Sequence, residues 1–325
     1  MEYSKQEYLK TYEFMTYSRL FEEICEEYVM KGIAGGFHHL GTGDEAVGVG
    51  IFESLGPNDW IVPEHRSRPM LAKYFGQHEF ISEMLAKPNG FNGGMAGDTH
   101  YCVPAKKAGP YSALLGQSQA MGAGIALNYK LDKIDGCVVI GCGDGSLNEG
   151  VIAEALTMIA AWKLPVVWYV QNNNWGMSMP SKKINAISSL AKRGEGFGLV
   201  SASYDGNDVF LVKEVMQEAM AKARKGEPQF IEFKTVRWAG HFVGDPQLYR
   251  DLAEVQDART NTDCVKWCRN HLLNRKIATV EELDTIDETQ RKLLYDGFNA
   301  ALAEPDKTAA DILDPNKIFA EIYVK

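Results

Sequence analysis

The fold of this chain is decided by residues 137–176, which read CVVIGCGDGSLNEGVIAEALTMIAAWKLPVVWYVQNNNWG. Residues 137–141 and 165–171 are apolar runs, the second rich in β-branched and aromatic residues, as is typical of buried strands. Between them, residues 149–162 carry a helical pattern. Strand, helix and strand at this spacing predict a βαβ unit, in which a right-handed crossover joins parallel strands.

The flanking sequence extends this alternation. Further strands are predicted over 199–204 and 229–236, and helices over 4–31, 43–55, 68–86, 117–130, from Asn207 or Asp208 to Lys225, and within 247–273 and 280–302. Residues 87–116, with six glycines and three prolines, are expected to be mostly irregular. We therefore predict an α/β fold with a parallel sheet flanked by helices, a single domain over 1–325, a helical N-terminal part over 1–60 and a helical C-terminal extension over 245–325.

Composition excludes several classes of function. The chain has 325 residues, is 45% hydrophobic and carries a net charge of −9 without a run of lysines or arginines, so we expect no nucleic acid and no membrane as partner. The N-terminus has no apolar signal region and no stretch of about 18 apolar residues is present, so we expect a cytoplasmic location. The six cysteines form no CxxC pair and are expected to be buried thiols in a reducing compartment.

Polar residues follow both strands of the βαβ unit, and in open α/β sheets ligands bind beyond the carboxyl ends of the strands. Gly143 and Gly145 allow close backbone approach, and the helix expected to begin just after them would offer free N–H groups to an anion. Asp144 and Asn173 add a carboxylate and an amide oxygen, which together with a main-chain carbonyl suit Mg²⁺ or Ca²⁺ beside a diphosphate.

Two other interpretations apply to this turn. Its glycines would be structural if the segment were only a tight turn between strand and helix. A nicotinamide dinucleotide site fits less well, because Ser146 stands where that fingerprint has glycine and the second strand ends without an acidic residue.

Five of the seven histidines, at 38, 39, 65, 100 and 241, fall in segments predicted to be irregular. A single histidine is usually structural or exposed, but five in loops favour a polar functional site.

These residues resemble a known family. GDG at 143–145 followed by Asn-Asn at 172–173 is similar to the thiamine diphosphate motif, and the surrounding sequence resembles the α subunit of 2-oxo acid dehydrogenase E1 components and of acetoin dehydrogenase. GFHHL at 36–40 with GDEA at 43–46, and GHFVGD at 240–245 with YR at 249–250, are similar to further motifs of the family, the second pair closest to the acetoin form. The resemblance runs over about residues 10–300 and implies a thiamine diphosphate-binding fold.

The resemblance also implies roles for individual residues. Asp144 and Asn173, with the main-chain carbonyl of Trp175, would bind Mg²⁺ (or Ca²⁺ or Mn²⁺). Catalysis on the substrate side would involve His241, His39 and His100. Thiamine diphosphate would be bound by a larger set, namely His65, Arg66, Leu115, Gly143, Asp144, Gly145, Ser146, Asn173 and His241.

A partner chain is implied as well. In this family a β subunit supplies the pyrimidine-binding domain and the catalytic glutamate, and only helical patterns remain here after residue 245, so an α2β2 assembly is expected. The implied reaction cleaves a C–C bond of a small-molecule 2-oxo acid or acyloin and transfers the acyl group to a lipoyl-bearing E2 component. Two alternatives stay open: a split transketolase-like N-terminal subunit that transfers a ketol unit, and a non-catalytic cofactor-binding homologue.

Four places depart from the family pattern. Arg68-Pro69 stands where His-Gly is frequent, which is expected to change the reaction face, and Ala113 replaces a glycine beside the pyrimidine. AGDTH at 96–100 replaces GGSMH. Phe242 occupies the place of a regulatory serine, so phosphorylation at that position is excluded.

Overall fold

A computed structural model describes residues 2–314 and residue 316 of the chain. Its main sheet has seven strands in the order β2-β3-β1-β4-β5-β9-β8, and all neighbours are parallel except β2 and β3. The strands, including a short antiparallel β6–β7 pair outside this sheet, are β1 (Trp60–Val62), β2 (Tyr101–Val103), β3 (Ala108–Tyr111), β4 (Val138–Gly143), β5 (Val166–Asn172), β6 (Trp175–Gly176), β7 (Met179–Pro180), β8 (Val200–Asp205) and β9 (Gln229–Lys234). The predicted α/β fold class is confirmed.

Helices cover both faces of this sheet. They are α1 (Lys5–Met30), α2 (Glu45–Phe52), α3 (Arg68–Phe75), α4 (Gln77–Met84), α5 (Gln117–Leu131), α6 (Gly150–Ala161), α7 (Ser181–Ile184), α8 (Ala191–Gly196), α9 (Val209–Ala223), α10 (Leu252–Asn261), α11 (Cys264–Asn274), α12 (Val280–Leu302) and α13 (Ala309–Leu313). No helix of the described residues is long and apolar enough to cross a membrane. The single domain over 1–325 stays a prediction, and residues 315 and 317–325 of the expected C-terminal extension lie outside the described part.

The predicted βαβ unit forms the centre of the sheet, as β4, α6 and β5. Alternate residues of these strands enter different cores: Val139 and Val167 pack in the layer that contains α1, α2 and α9, whereas Ile140 and Trp168 pack in the layer that contains α5 and α6. Both faces of these strands are therefore buried, which explains why their sequences are continuous apolar runs. The register sets Gly143 opposite Gln171, so the polar residues that follow both strands emerge together.

Two predicted helical segments differ from the structure, and a third segment contains strands that were not predicted. The helix predicted over 68–86 is two helices, because Gly76 adopts φ 128°, a conformation that ends α3 before α4 begins. The helical segment within 247–273 is likewise divided, with Asp263 capping α11 through its side chain. Residues 87–116 are mostly irregular, as predicted, but they also contain the short strands β2 and β3, of which β3 pairs with β1.

The cysteine prediction needs one correction. Five of the six thiols are buried, but Cys102 in the edge strand β2 is exposed. Side chains alternate between the two faces of a strand, and Cys102 lies on the face opposite to that of the buried Tyr101.

Candidate active site

The polar site lies at the carboxyl ends of β1, β4 and β5, where a cavity of about 440 Å³ opens. It is bordered by the turns after these three strands and by loops that carry residues 37–39, 111–115 and 241. Its lining is Phe37, His39, Glu64, His65, Arg66, Thr99, Tyr111, Ala113, Leu115, Gly143, Asp144, Gly145, Ser146, Gln171, Asn173, Trp175, Gly176, Met177, Ile184 and His241.

Two glycines of the turn after β4 leave room in different ways. At Gly145 a Cβ atom would stand 2.9 Å from Cα of Gly176, so the close approach of two backbones requires glycine there. At Gly143 a Cβ atom would meet only Oγ of Ser146, at 3.9 Å. No packing of the described residues therefore demands glycine at 143, and the space above its backbone is open to a ligand.

The turn after Gly145 is a single 3₁₀ turn over Ser146–Asn148, and α6 begins only at Gly150. The helix predicted to begin just after Gly145 therefore begins a few residues later than expected, at Gly150. The turn is held from outside by Arg193, whose guanidinium donates to the carbonyl of Leu147 at 2.8 Å and to the side chain of Asn148 at 2.5 Å.

Asp144 is the buried carboxylate of the site. Its side chain is 1% exposed, and Oδ2 has no hydrogen-bond partner among the described residues. Burial raises the pKa of Asp144 to about 6. An unpartnered buried carboxylate oxygen is costly unless a cation binds it, so this geometry fits a metal ligand.

Asn173 lies across the turn from Asp144, at the end of β5. Its Nδ2 donates to Oδ2 of Asp44 at 3.2 Å, and its Oδ1 accepts from the backbone N–H of Trp175 at 3.4 Å. Within the described chain no three His, Cys, Asp or Glu side chains converge as a metal site. A cation here would therefore depend on one carboxylate, one amide and main-chain oxygen, which is an oxygen set suited to Mg²⁺.

Arg66 binds two loops to the floor of the cavity. Its guanidinium donates to the carbonyl oxygens of Leu40 and His241, the latter at 3.3 Å, while its Nε has no partner among the described residues. Burial lowers the pKa of Arg66, although it stays positive at neutral pH. In an acidic chain this buried cation supplies the local positive charge that an anionic ligand requires.

Three imidazoles surround the same point. The ring centroid of His39 lies 5.0 Å from that of His65 and 4.5 Å from that of His241. Burial lowers the pKa of His39 to about 4 and that of His241 to about 3, and lowers that of His65 well below its usual range; the positive charge of Arg66 adds to each shift. All three rings are therefore neutral at pH 7.

Hydrogen bonding assigns the tautomer of His39. Its Nδ1 lies 2.6 Å from the carbonyl oxygen of His241, which can only accept, so Nδ1 carries the proton. The other ring nitrogen, Nε2, is then free to accept a proton from a substrate.

The loop that carries His241 is held by its own side chains. Asp245 accepts from the backbone N–H of His241 at 2.7 Å and from the hydroxyl of Tyr249 at 2.5 Å. Arg250 donates to the carbonyl oxygens of Arg237, Trp238 and Ala239, each at 2.7 Å. These contacts explain the GD and YR parts of the sequence motif: they position His241 and do not line the cavity.

The structure brings together every predicted site residue except one. His39, His65, Arg66, Leu115, Gly143, Asp144, Gly145, Ser146, Asn173, Trp175 and His241 all line the cavity. His100 is exposed and does not line it; Thr99 does instead.

Arg68 corrects another expectation. Its side chain is 1% exposed and pairs with Glu22 of α1 and, at 3.0 Å, with Asp98. It therefore does not face the reaction site, and the departure from the family pattern acts on the scaffold behind it. Asp98 also accepts from Nδ1 of His38 at 2.8 Å, which places Arg68 two contacts away from the loop that carries His39.

Sequence reasoning missed Glu64 and Gln171. Both line the cavity, and burial raises the pKa of Glu64 to about 7, with nearby Asp44 adding to the shift. Gln171 could have been found from its place at the end of a predicted strand. Glu64 could not, because it lies after β1, a strand of three residues that is too short to give a pattern.

Known proteins are similar to this chain over nearly its whole length. The family model described as dehydrogenase E1 component matches residues 12–310. The α subunit of acetoin:2,6-dichlorophenolindophenol oxidoreductase from Cupriavidus necator is 34% identical over 311 residues, covering 95% of this chain and 93% of the relative. Pyruvate dehydrogenase E1 component α subunits are 31% identical in Rhizobium meliloti (96% and 90% covered) and 32% identical in Zymomonas mobilis (93% and 86% covered).

Proposed function

This chain belongs to the family of dehydrogenase E1 components, and on that premise we propose that it is the α subunit of a thiamine diphosphate- and Mg²⁺-dependent enzyme. The enzyme would cleave a C–C bond of a 2-oxo acid or acyloin, such as pyruvate or acetoin, and pass the acyl group to a lipoyl carrier. The observation that carries the proposal is the unpartnered, buried Oδ2 of Asp144 beside Asn173 in a cavity that opens at the strand ends. The cytoplasmic location expected from the sequence stays a prediction.

The residues of the cavity divide into those for the metal and those for the diphosphate. Asp144, Asn173 and the carbonyl oxygen of Trp175 would hold Mg²⁺. The backbone of Gly143, Gly145 and Ser146 would approach the diphosphate, and the cation of Arg66 with the imidazoles of His65 and His241 would contact its oxygens. When bound, thiamine diphosphate supplies the carbanion and the electron sink for C–C cleavage.

The imidazoles would handle protons. His39 is held through Nδ1, so its Nε2 can accept a proton from a substrate hydroxyl or return one. His241 is neutral, and its Nδ1 is buried without a partner among the described residues, so it too can accept a proton. Ser146 and Leu115 also line the cavity and would contact the cofactor. The catalytic role of His100 stays a prediction, since this residue does not line the cavity.

The site also fits a partner subunit. Leu115 and Met177 line the cavity yet are 50% and 61% exposed, so an apolar part of its wall faces outward. We propose that a β subunit covers this wall and supplies the pyrimidine-binding domain and the catalytic glutamate, in an α2β2 assembly that serves a lipoyl-bearing E2 component. Cofactor binding by the α chain alone is then expected to be weak.

Calorimetry tests this proposal. Thiamine diphosphate is titrated with Mg²⁺ into the chain co-purified with its β partner, and then into the chain alone. We expect tight, metal-dependent binding only for the complex. Asp144→Ala in the complex should lose this binding. The matched control Asp135→Ala, whose carboxylate is exposed, should bind as tightly as the wild type. Absence of binding in the complex would contradict the proposal.

Activity assays then identify the reaction. Turnover of pyruvate or acetoin with an artificial electron acceptor is expected. Turnover of sugar phosphates instead would indicate a transketolase-like subunit, and cofactor binding without turnover of any of them would indicate a non-catalytic homologue.

A further inference from the structure

Asp44 is a buried acidic residue that lies behind the cavity. It directly precedes α2, its side chain is 3% exposed, and it is not among the residues that line the cavity. Its Oδ2 accepts from Nδ2 of Asn173 at 3.2 Å, across 129 residues of sequence. Its Oδ1 has no hydrogen-bond partner among the described residues. Burial of a carboxylate with an unpartnered oxygen costs free energy, and a functional role for Asp44 would explain why it is present.

The contact between Asp44 and Asn173 determines which way the amide points. A carboxylate can only accept, so the Nδ2 end of Asn173 must face Asp44. The opposite orientation would set an amide oxygen against a carboxylate oxygen and would break the bond. Oδ1 of Asn173 is therefore directed away from Asp44 and toward the backbone N–H of Trp175, which lines the cavity together with Asp144.

We propose that Asp44 is a positioning residue for the divalent cation, which acts by holding Asn173 with its Oδ1 toward the metal. The proposal rests on the proposed function, since the cation belongs to that site. It separates two roles of the acidic residues: Asp144 contacts the cation, whereas Asp44 acts only through the amide of Asn173. Groups of this kind, one bond behind a metal ligand, typically change metal affinity by about 10–100-fold.

The experiment measures Mn²⁺ affinity by the loss of the free-ion electron paramagnetic resonance signal, in the complex with the β partner and with thiamine diphosphate present. Asp44→Ala removes the acceptor, and we expect it to weaken Mn²⁺ binding about 10–100-fold. Asp44→Asn removes the charge but keeps an oxygen that can accept from Nδ2 of Asn173, so we expect it to restore most of the affinity. In an Asn173→Ala background, Asp44→Ala is expected to cause no further loss, because the residue through which it acts is gone.

Each contrary outcome has a distinct meaning. Unchanged affinity in Asp44→Ala overturns this inference alone, as does an equal loss in Asp44→Asn and Asp44→Ala, which would show that the charge acts directly. A further loss in the Asn173→Ala background overturns it too. If wild-type protein binds no Mn²⁺, the proposed function fails and this inference fails with it. If Asp44→Ala does not fold, Asp44→Leu, which fills the space without an acceptor, replaces it under the same criteria.

Discussion

At the scale of single residues, the cavity keeps acidic groups in surroundings that oppose their ionisation. Burial raises the pKa of Asp144 to about 6 and that of Glu64 to about 7, and raises that of Asp44. The three imidazoles nearby are neutral for the same reason, since burial disfavours the charged form of either kind of group. An ionised carboxylate in this cavity therefore has a high free energy, which a bound cation would lower.

We expect Asp144→Asn to stabilise the metal-free chain while abolishing metal binding. The folded state of the wild-type chain binds the Asp144 proton more tightly than the unfolded state does, because its pKa is raised from 3.8 to about 6. The free energy of unfolding therefore falls by on the order of 3 kcal/mol as the pH rises from about 4 to about 6. It does not recover at higher pH. Asparagine carries no charge and avoids this loss.

Thermal unfolding at pH 5 and pH 8 in the presence of a chelator checks this prediction. The gain in melting temperature of Asp144→Asn should be larger at pH 8, and the exposed control Asp135→Asn should show no such difference. An Asp144→Asn variant less stable than wild type at pH 8 would contradict the burial argument.

At the scale of elements, one side chain of α4 organises the glycine-rich segment beside the cavity. The carboxylate of Glu83 accepts from four backbone N–H groups, those of Asn92 (2.7 Å), Gly94 (2.9 Å), Ala96 (2.7 Å) and Gly97 (3.2 Å). Glu83 is itself fully buried. The segment leads directly to Thr99 in the cavity lining, so α4 positions this wall although it contributes no residue to it.

Replacement of Glu83 should loosen this wall and destabilise the chain. Glu83→Ala leaves four N–H groups without an acceptor, and at about 1–3 kcal/mol for each buried one we expect a loss of roughly 3–5 kcal/mol after partial hydration. Urea denaturation measures the loss, and limited proteolysis should show new cleavage within residues 90–100. Glu79→Ala on the same helix, at an exposed position, is the matched control. Equal proteolysis of the two variants would contradict the anchoring role.

At the scale of the whole molecule, the first helix packs against a helix from late in the sequence. The long helix α1 contacts α12, and Phe298 of α12 lies 5.5 Å from Phe21 and 5.3 Å from Tyr28 between ring centroids. Both helices begin with a capping box, formed by Ser4 in α1 and by Thr279 in α12. The sheet that carries the site is therefore supported on one side by helices from opposite ends of the sequence.

This packing predicts a large effect at Phe298. The side chain is fully buried, so Phe298→Ala should lower the free energy of unfolding by about 3–5 kcal/mol. Chemical denaturation followed by far-ultraviolet circular dichroism measures it. Leu293→Ala on the same helix removes a side chain that is 47% exposed and should change stability by no more than about 0.5 kcal/mol. Similar losses for both variants would mean that α12 does not pack as described.

Much of the site could be predicted from sequence, but not all of it. Asp144 and Asn173 were predictable because each directly follows a long apolar strand, so their meeting at one edge follows from strand order. Arg66 and Leu115 were found only through the family motifs, whereas His39 and His65 were also indicated by their place in segments predicted to be irregular. His100 was also found through a motif, but it does not line the cavity, because a motif gives a position in the chain and not the direction of a side chain.

The sequence by itself determined the βαβ unit, the α/β class and the turn after β4, because these depend on local periodicity and on residues close along the chain. Only the tertiary structure decided that β1 pairs with β3, that Arg68 is buried against Glu22, and that Asp44 holds the amide of Asn173. The physical reason is the same in each case. These contacts join residues tens to more than a hundred positions apart, and their free energy depends on burial and geometry that no local segment contains.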